Sequence, residues 1–285
     1  MIEKIYKKMA SRKASSHKGS YGHVFVIAGS ASYTGAPYLA SQAALISGSG
    51  LVTLGLPKSL HPILAKKLIE VMIKPLPETE AQTLSLGAAR EIINFSKKAD
   101  VVAVGPGLSL NPLTKKLVLN LIRDIPKPFV VDADGISALA GHCDILKRLR
   151  HPVVLTPHPG EMSNIIGKSA AFIQKNRKKV AHVFAKEYNV VLVLKGHRTV
   201  VASPDGKSYL NKTGNPGMAS GGVGDVLTGV IASFIGQGLS PFEASALGVY
   251  VHGLAGDLAA GEKGQLSLIA TDLLNKIPEA LKALG

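Results

Sequence analysis

The sequence contains a single cysteine and no tryptophan, few of its residues are aromatic, and its acidic residues are outnumbered by basic ones. Cys143 alone cannot form a disulfide framework or a cysteine-ligated metal site, so the chemistry must come from oxygen, nitrogen and backbone groups. A reducing, cytoplasmic setting fits this composition. No run of 18 or more apolar residues is present. We therefore expect no membrane partner and no secretory signal.

The scarcity of acidic residues leaves 33 Lys plus Arg against 19 Asp plus Glu, a formal net charge of +14. Such an excess favours anionic partners through long-range attraction. The basic residues are scattered, and few aromatic residues lie among them to stack on bases. We expect a nucleotide-sized ligand and ordinary solvated faces, with no nucleic-acid partner. A nucleotide sensor or an RNA-binding module is the non-enzymatic alternative.

Short apolar runs typical of buried strands alternate with longer segments of helical periodicity along the 285 residues. This alternation predicts an α/β fold, with a doubly wound, mostly parallel sheet and helices on both faces. We interpret residues 1–285 as one domain, with 1–16 as a basic extension that is either a flexible tail or an amphipathic helix. The predicted strands are 23–28, 51–56, 101–104, 129–131, 153–155 and 190–194, with a hairpin at 199–203 and 208–210. The predicted helices are 37–47, 89–95, 113–122, 169–187, 225–235, 241–260 and 270–284.

Gly, Pro, Asp, His and Lys residues follow five of the predicted strands. Each loop alone is a weak signal, because Gly and Pro also simply turn the chain. In an open α/β sheet, however, ligands bind beyond the carboxyl ends of the strands. Five such loops on one edge predict a binding crevice there. The loops are 29–30, 105–107, 132–135, 156–161 and 195–197.

The most specific local signal is a glycine-rich segment, 215–225, which precedes a predicted helix. Glycines before a helix let several backbone N–H groups converge on an anion, and the helix dipole adds positive charge. The segment is neither a Walker A loop nor a dinucleotide-binding loop. Asp225 ends it, either as a capping or first-turn carboxylate or as a base that takes a proton from a substrate hydroxyl. The two roles are compatible.

The element Gly-Gly-Val-Gly-Asp at 221–225 resembles the Gly-x-Gly-Asp element of the ribokinase-like superfamily. Further segments, in order along the chain from about His17, resemble the ADP- or ATP-dependent NAD(P)H-hydrate dehydratases of that superfamily. They are His17-Lys18-Gly19 with Gly22, Gly29-Ser30, Tyr33-Thr34-Gly35-Ala36-Pro37, Val104-Gly105-Pro106-Gly107-Leu108, Val131-Asp132-Ala133-Asp134, Leu155-Thr156-Pro157-His158-Pro159-Gly160-Glu161, Val193-Leu194-Lys195-Gly196 and Asn215-Pro216-Gly217-Met218-Ala219-Ser220-Gly221-Gly222.

The resemblance implies a ribokinase-like fold and a metabolite-repair reaction. NADH or NADPH hydrated at C6 is dehydrated, with hydrolysis of ADP or ATP, after a phosphoryl group has made the C6 hydroxyl a better leaving group. Asp225 is then the base. The nucleotide is implied to bind at Lys195, Gly196, His197, Arg198 and Thr199, with the anion hole at Gly221, Gly222 and Gly224. Substrate contacts are implied for Ala40, Gly107, His158 and Asp225.

Metal binding is expected at one carboxylate. Glu161 either holds Mg²⁺, directly or through water, or is a helix-start carboxylate ahead of residues 162–166. Asp132 and Asp134 face the same edge and either orient ribose hydroxyls or cap the next turn. We leave both out of the catalytic set.

Two further expectations concern partners and the rival function. Relatives often carry a fused epimerase domain, but about sixteen residues precede His17, so we expect a separate epimerase. The resemblance also implies a homo-oligomer, possibly a tetramer. A small-molecule alcohol kinase of the same superfamily is the alternative enzyme, because Gly-x-Gly-Asp permits either reaction. The segments at 156–161 and 215–222 favour the dehydratase.

Overall fold

A computed structural model describes residues 1–285, and its nine strands all belong to one sheet. The strands are β1 His23–Ile27, β2 Leu51–Pro57, β3 Met72–Leu76, β4 Val101–Val104, β5 Phe129–Val131, β6 Val153–Leu155, β7 Val191–Leu194, β8 Val200–Ala202 and β9 Ser208–Leu210. Their order is β3-β2-β1-β4-β5-β6-β7-β8-β9. The first seven strands pair in parallel, and β8 and β9 add an antiparallel hairpin at one edge.

Twelve α-helices connect and cover the strands, together with short 3₁₀ turns. No helix has both the length and the apolar character needed to cross a bilayer. The helices are α1 Ile2–Ala10, α2 Gly35–Ile46, α3 His61–Leu64, α4 Ala89–Ser96, α5 Pro112–Asp124, α6 Ala133–Leu139, α7 Pro159–Ile166, α8 Ala170–Lys175, α9 Arg177–Tyr188, α10 Val223–Gly236, α11 Pro241–Lys263 and α12 Ala270–Lys282.

Each buried strand contributes to two separate cores, because successive side chains of a strand point to opposite faces. On β1, Val24 and Val26 pack into a core shared with α2, α10, α11 and α12. Phe25 and Ile27 pack into the other core, which α4 to α9 cover. The nearly continuous apolar runs in these strands follow from burial on both faces. The predicted two-faced, mostly parallel sheet is confirmed.

Three local expectations were wrong. The edge strand β3 was not predicted, because Lys74 and Pro75 interrupt its apolar pattern, and proline is tolerated at a sheet edge. The predicted helix 169–187 is two helices, broken at Asn176, whose side chain donates to the Phe172 carbonyl at 2.9 Å. Helix α6 was predicted only as a loop.

The N-terminal extension is a helix rather than a flexible tail. Ile5 of α1 is buried, and Lys8 pairs with Glu243 at the start of α11. Beyond the helix, Arg12 lies over the Tyr21 ring at 3.9 Å and donates to the Gly48 carbonyl at 2.7 Å. The segment is therefore docked along much of its length.

Strands β2 and β3 extend the sheet on one side of β1, and β4 and the later strands extend it on the other side. The strand order therefore reverses between the neighbours β1 and β4. Such a switch point opens a crevice beyond the strand ends. The loops after the two strands are tied together there: Gly29 N–H donates to the Pro106 carbonyl at 2.9 Å, and Ser30 Oγ donates to the Gly107 carbonyl at 2.8 Å. We call this region, formed by residues 29–36 and 105–109, the switch crevice.

Close packing of α10 against α2 gives a stability prediction. A Cβ on Gly229 would lie 2.1 Å from the Ala40 carbonyl oxygen, so Gly229→Ala must push two buried helices apart. We expect it to lower the free energy of unfolding by about 1–3 kcal/mol in chemical denaturation. Gly261→Ala on α11 is the control, since nothing lies within 4 Å of its Cβ position, and it should be neutral or slightly stabilising. Equal losses in the two variants would contradict this account of the packing.

Candidate active site

The glycine-rich segment leads into α10 as the anion-binding prediction requires. Gly222 is the residue before the helix and has a φ of +86°, a conformation that favours glycine. The first intrahelical bond runs from Val226 N–H to the Gly222 carbonyl at 3.3 Å, so the N–H groups of the first turn have no intrahelical acceptor. Val223, Gly224 and Asp225 form that turn. Their amides and the helix dipole can stabilise an anion.

Asp225 is the third residue of α10, because the helix begins two residues earlier than predicted. Its carboxylate therefore lies in the first turn and is not the N-cap. Burial raises the pKa of Asp225 to about 7, and the negative charge of Asp132 adds to the rise, while Lys195 opposes it. A base works best when its pKa lies near the operating pH. The environment thus makes Asp225 suitable for accepting a proton at neutral pH.

A buried ion pair lies beside this turn. Asp132 follows β5 and is 1% exposed, and Lys195 follows β7 and places its Nζ 2.7 Å from Asp132 Oδ1. The hydroxyls of Thr156 and Thr228 each donate to the Asp132 carboxylate at 2.7 Å. Burial alone would raise the pKa of Asp132, but Lys195 and these hydrogen bonds hold it below its ordinary value. Asp132 is therefore a fixed negative charge.

Lys195 borders the anion-binding turn. A Cβ placed on Gly224 would lie 3.3 Å from Lys195 Nζ, so the absence of a side chain at 224 leaves the ammonium room beside the helix start. Burial alone would lower the pKa of Lys195, but Asp132 and then Glu161 hold it above its ordinary value. The ammonium stays charged and adds to the positive end of α10.

His158 and Glu161 cap the start of α7 through a reciprocal pair of contacts. His158 Nδ1 accepts from the N–H groups of Gly160 at 3.0 Å and Glu161 at 3.2 Å, and Glu161 Oε2 accepts from His158 N–H at 2.7 Å. Because Nδ1 accepts, Nε2 carries the proton of the neutral ring. Nε2 lies 3.6 Å from Glu161 Oε1, and the His158 side chain is 55% exposed, so the outer edge of the ring can meet a ligand. Here the helix-cap role of Glu161 is observed directly.

Glu161 also belongs to the charge cluster. Its Oε2 lies 3.9 Å from Lys195 Nζ, which is the same ammonium group that Asp132 contacts. Burial raises the pKa of Glu161, the charge of Asp132 raises it further, and Lys195 opposes both. The buried Asp132 carboxylate and the partly buried Glu161 carboxylate thus share one ammonium, and carboxylate oxygens are the ligands Mg²⁺ prefers. No group of three or more His, Cys, Asp and Glu side chains forms a complete metal site.

A cavity of about 710 Å³ opens in front of α10, large enough for a nucleotide-sized ligand. Most of the predicted site residues line it: Asp225, His158, Gly222, Gly224 and the whole nucleotide-binding segment, Lys195, Gly196, His197, Arg198 and Thr199. Gly221 is exposed and does not line the cavity, although Ser220 and Gly222 on either side of it do. The structure thus brings the predicted base and the predicted nucleotide segment together.

Two predicted substrate contacts lie elsewhere. Ala40 is fully buried in α2, where its carbonyl oxygen faces Gly229 of α10, and it does not line the cavity. Gly107 lies in the switch crevice with a φ of +62°, and a Cβ there would lie 2.6 Å from Tyr33 Cβ and 3.1 Å from Ala36 Cβ. Ala36, four residues before Ala40, is the alanine at the crevice. Tyr33 is 54% exposed beside it.

Two residues that support the site, His252 and Asp257, were missed by sequence reasoning. His252 Nε2 donates to the Val223 carbonyl at 2.9 Å, and burial lowers the pKa of His252 to about 4, so the ring is neutral. Asp257 accepts from Gly214 N–H at 2.8 Å and from Asn215 Nδ2 at 2.9 Å, which anchors the glycine-rich segment on α11. Asp132 was noticed but left out. His252 and Asp257 lie within a helical pattern that gives no sign of a polar role.

A glycine-lined helix start, a carboxylate in its first turn and a cavity at the strand ends are the features that the sequence analysis expected of the ribokinase-like fold class. The crystal structure of a ribokinase-like superfamily protein from Enterococcus faecalis agrees, with a TM-score of 0.83 over 99% of this chain and 95% of that chain at 27% identity. The predicted fold class is confirmed.

The chain belongs to the NAD(P)H-hydrate dehydratase family, whose profile matches residues 24–279. It is 50% identical over 273 residues to a bifunctional NAD(P)H-hydrate repair enzyme of Moorella thermoacetica, covering 96% of this chain and 52% of the relative. The chain therefore spans about half the length of these curated relatives. The ADP/ATP-dependent NAD(P)H-hydrate dehydratase of Bacillus subtilis, co-crystallised with ATP and Mg²⁺, has a TM-score of 0.86 and 32% identity, covering 100% of this chain and 98% of that chain.

The raised pKa of Asp225 predicts a pH-dependent gain in stability when the charge is removed. A carboxyl group whose pKa is higher in the folded than in the unfolded protein destabilises the fold progressively as the pH rises between the two values, here from about 4 to about 7. Asp225→Asn should therefore change the free energy of unfolding little at pH 4 and raise it by about 2–4 kcal/mol at pH 8. Denaturant titrations at both values measure this.

The exposed Asp144→Asn is the matched control and should behave alike at the two pH values. If Asp225→Asn instead lowered the free energy of unfolding at pH 8, the surroundings would stabilise the ionised carboxylate more than its burial suggests.

Proposed function

We propose that the protein dehydrates C6-hydrated NADH and NADPH, at the expense of ADP or ATP, as a metabolite-repair enzyme. The observation that carries the proposal is the position of Asp225. Its carboxyl group, with a pKa near 7, faces the same 710 Å³ cavity as the predicted nucleotide segment 195–199 and lies in the anion-binding turn of α10. Family membership supports the choice of substrate.

The proposed chemistry begins at the C6 hydroxyl. Asp225 takes the hydroxyl proton while the oxygen attacks the terminal phosphoryl group of the nucleotide, and that group's bond to the bridging oxygen breaks. The amides of the first turn of α10 and the Lys195 ammonium stabilise the charge on the transferring group. With ADP the leaving product is AMP.

Elimination follows the transfer. The ring nitrogen donates its electron pair to C6 as the C–O bond to phosphate breaks, and loss of a proton from C5 restores the C5=C6 double bond. The sum is hydrate plus ADP giving the reduced dinucleotide, AMP and phosphate. Because phosphate leaves far more readily than hydroxide, a site built for phosphoryl transfer can drive a dehydration.

Mg²⁺ is part of the proposal, since the Bacillus subtilis relative was co-crystallised with ATP and Mg²⁺. Glu161 would hold it, directly or through water, together with nucleotide phosphates. Mg²⁺ usually keeps several waters and takes only one or two protein carboxylates, so a site without three acidic residues suits it. When bound, the ion neutralises charge on the phosphates.

We propose that residues 1–285 act as one ribokinase-like domain, which the nine-stranded sheet supports. We also propose a cytoplasmic location, from the reducing setting that the lone Cys143 indicates, and a homotetramer, which is carried over from the resemblance. Light scattering of the purified protein would measure the oligomeric state.

The central prediction concerns turnover. Incubating the protein with acid-hydrated NADH and ADP should restore the absorbance of reduced nicotinamide, and Asp225→Asn should lower the rate at least about 10²-fold while nucleotide binding persists. The wild-type rate should rise with pH and level off above about 7, because Asp225 acts in its ionised form.

Asp144→Asn is the control for charge removal at an exposed site and should retain the full rate. Net phosphorylation of a small alcohol without the return of absorbance would favour the alcohol kinase. Full biological activity of Asp225→Asn, with steeply salt-dependent RNA affinity, would favour the binding module.

Metal dependence gives a separate prediction. Chelation by EDTA should abolish turnover, and Mg²⁺ should restore it. Glu161→Gln should raise the Mg²⁺ concentration needed for half-maximal rate about tenfold or more, since it removes one of the proposed ligands. The exposed Glu80→Gln should not change that concentration. An unchanged Mg²⁺ requirement in Glu161→Gln would assign Glu161 to helix capping alone.

A further inference from the structure

Arg177, the first residue of α9, lies behind the nucleotide-binding segment 195–199 and contacts its backbone. The guanidinium donates to the Leu194 carbonyl at 2.8 Å, to the Arg198 carbonyl at 3.2 Å and to the His197 carbonyl. Only carbonyl oxygens are its acceptors. One side chain therefore binds the carbonyl that precedes this segment and two carbonyls within it.

The shape of the segment is matched to this guanidinium. Gly196 has a φ of +134°, and a Cβ there would lie 3.3 Å from Arg177 Cζ, so the arginine packs against the glycine backbone. Arg198 has a φ of +55°, which is uncommon for a residue with a side chain. Such a conformation persists only where the surroundings hold it in place.

Peptide planarity gives the consequence for a ligand. The C=O and N–H of a trans peptide point in opposite directions. With the carbonyls of His197 and Arg198 turned toward the guanidinium, the N–H groups of Arg198 and Thr199 face away from it. These residues line the 710 Å³ cavity, and their amides stay available as donors.

Arg177 is costly as a purely structural residue. No carboxylate lies within ion-pair distance of it, and its Nε is buried without a hydrogen-bond partner. Removing a charged group from water without a counter-ion is unfavourable. Arginine's planar fork can bind several carbonyls at once, whereas the lysine ammonium is a compact point charge. Arg177 therefore contributes more to the conformation of segment 195–199 than to the stability of the fold.

We propose that Arg177 is a positioning residue for the adenine nucleotide: it fixes segment 195–199 in its nucleotide-binding conformation without touching the nucleotide itself. The inference rests on the proposed use of ADP or ATP. Because Lys195 is part of the same segment, the clamp also fixes the ammonium that pairs with Asp132.

The test is calorimetric binding of ADP and ATP, each with Mg²⁺, to three variants of the full chain. Arg177→Ala and Arg177→Lys should both weaken nucleotide binding about tenfold or more, since a misplacement of about 1 Å can cost about 10²-fold. Lys178→Ala, the neighbouring exposed residue on α9, removes the same charge and should leave the affinity little changed. In the dehydration assay the nucleotide KM should rise while the KM of the hydrate stays the same.

Free guanidinium provides a readout that a merely structural role would not give. Added guanidinium ion should restore nucleotide binding to Arg177→Ala but not to Arg177→Lys, whose ammonium occupies part of the space. Thermal unfolding of the three variants shows whether each is folded.

Several outcomes would overturn the inference. Full affinity in Arg177→Lys would mean that charge alone matters. Equal increases in both KM values, or unfolding of both Arg177 variants, would assign the arginine to fold stability. A wild-type protein that binds ADP but does not dehydrate the hydrate would contradict the proposed reaction and leave the clamp intact, whereas failure to bind either nucleotide would overturn both.

Discussion

The buried ion pair between Asp132 and Lys195 is the interaction on which the site depends. It joins the carboxyl ends of β5 and β7, and through the Thr156 and Thr228 hydroxyls it reaches β6 and α10. The helix that carries the anion-binding turn is thus fixed to the sheet by a polar network as well as by apolar packing. Breaking a buried pair by removing one partner leaves an uncompensated charge, so neither residue is free to vary alone.

The balance of charge around this pair explains the chemistry proposed for Asp225. Burial raises the pKa of Asp225 most, and the fixed negative charge of Asp132 raises it further. Asp132 stays ionised because the Lys195 ammonium neutralises its charge. Since Lys195 is paired with Asp132, it only partly offsets the effect of burial on Asp225. The protein thereby keeps a carboxylate in an environment that destabilises its charge. Such strain at an active site lowers stability in exchange for function.

The sequence was sufficient to predict the layered sheet, the strand-end loops and the identity of most cavity residues. Buried strands produce continuous apolar runs, and glycine-rich loops keep a recognisable spacing, so these features are local. The differences from the prediction were local too: α10 begins at Val223 instead of Asp225, and Ala40, a predicted substrate contact, faces Gly229 inside the core. One helical turn separates Ala40 from Ala36, and no property of either alanine shows which one faces the crevice.

The contributions of Asp132 and Arg177 could not be predicted for a different reason. Arg177 lies 17 residues from the Leu194 carbonyl that it binds, and Asp132 lies 63 residues from Lys195. Only the folded sheet brings these partners together, and basic residues such as Arg177 are ordinarily read as part of a solvated helix face. Supporting residues of this kind must be found from contacts.

The arrangement of the site along the sheet separates the proposed phosphoryl transfer from the proposed elimination. The 710 Å³ cavity lies over β5 to β8, and the switch crevice lies over β1 and β4, so donor and acceptor are expected to approach Asp225 from different sides. The cavity side supplies cations, a helix dipole and a base, none of which depends on what the acceptor becomes after transfer. Whether the phosphoryl ester is released or eliminated is a property of the acceptor, since only a hydrated nicotinamide has a ring nitrogen that expels phosphate. Specificity for the proposed reaction therefore belongs to the crevice around Tyr33, Ala36 and Gly107, while the groups around Asp225 serve the proposed phosphoryl transfer.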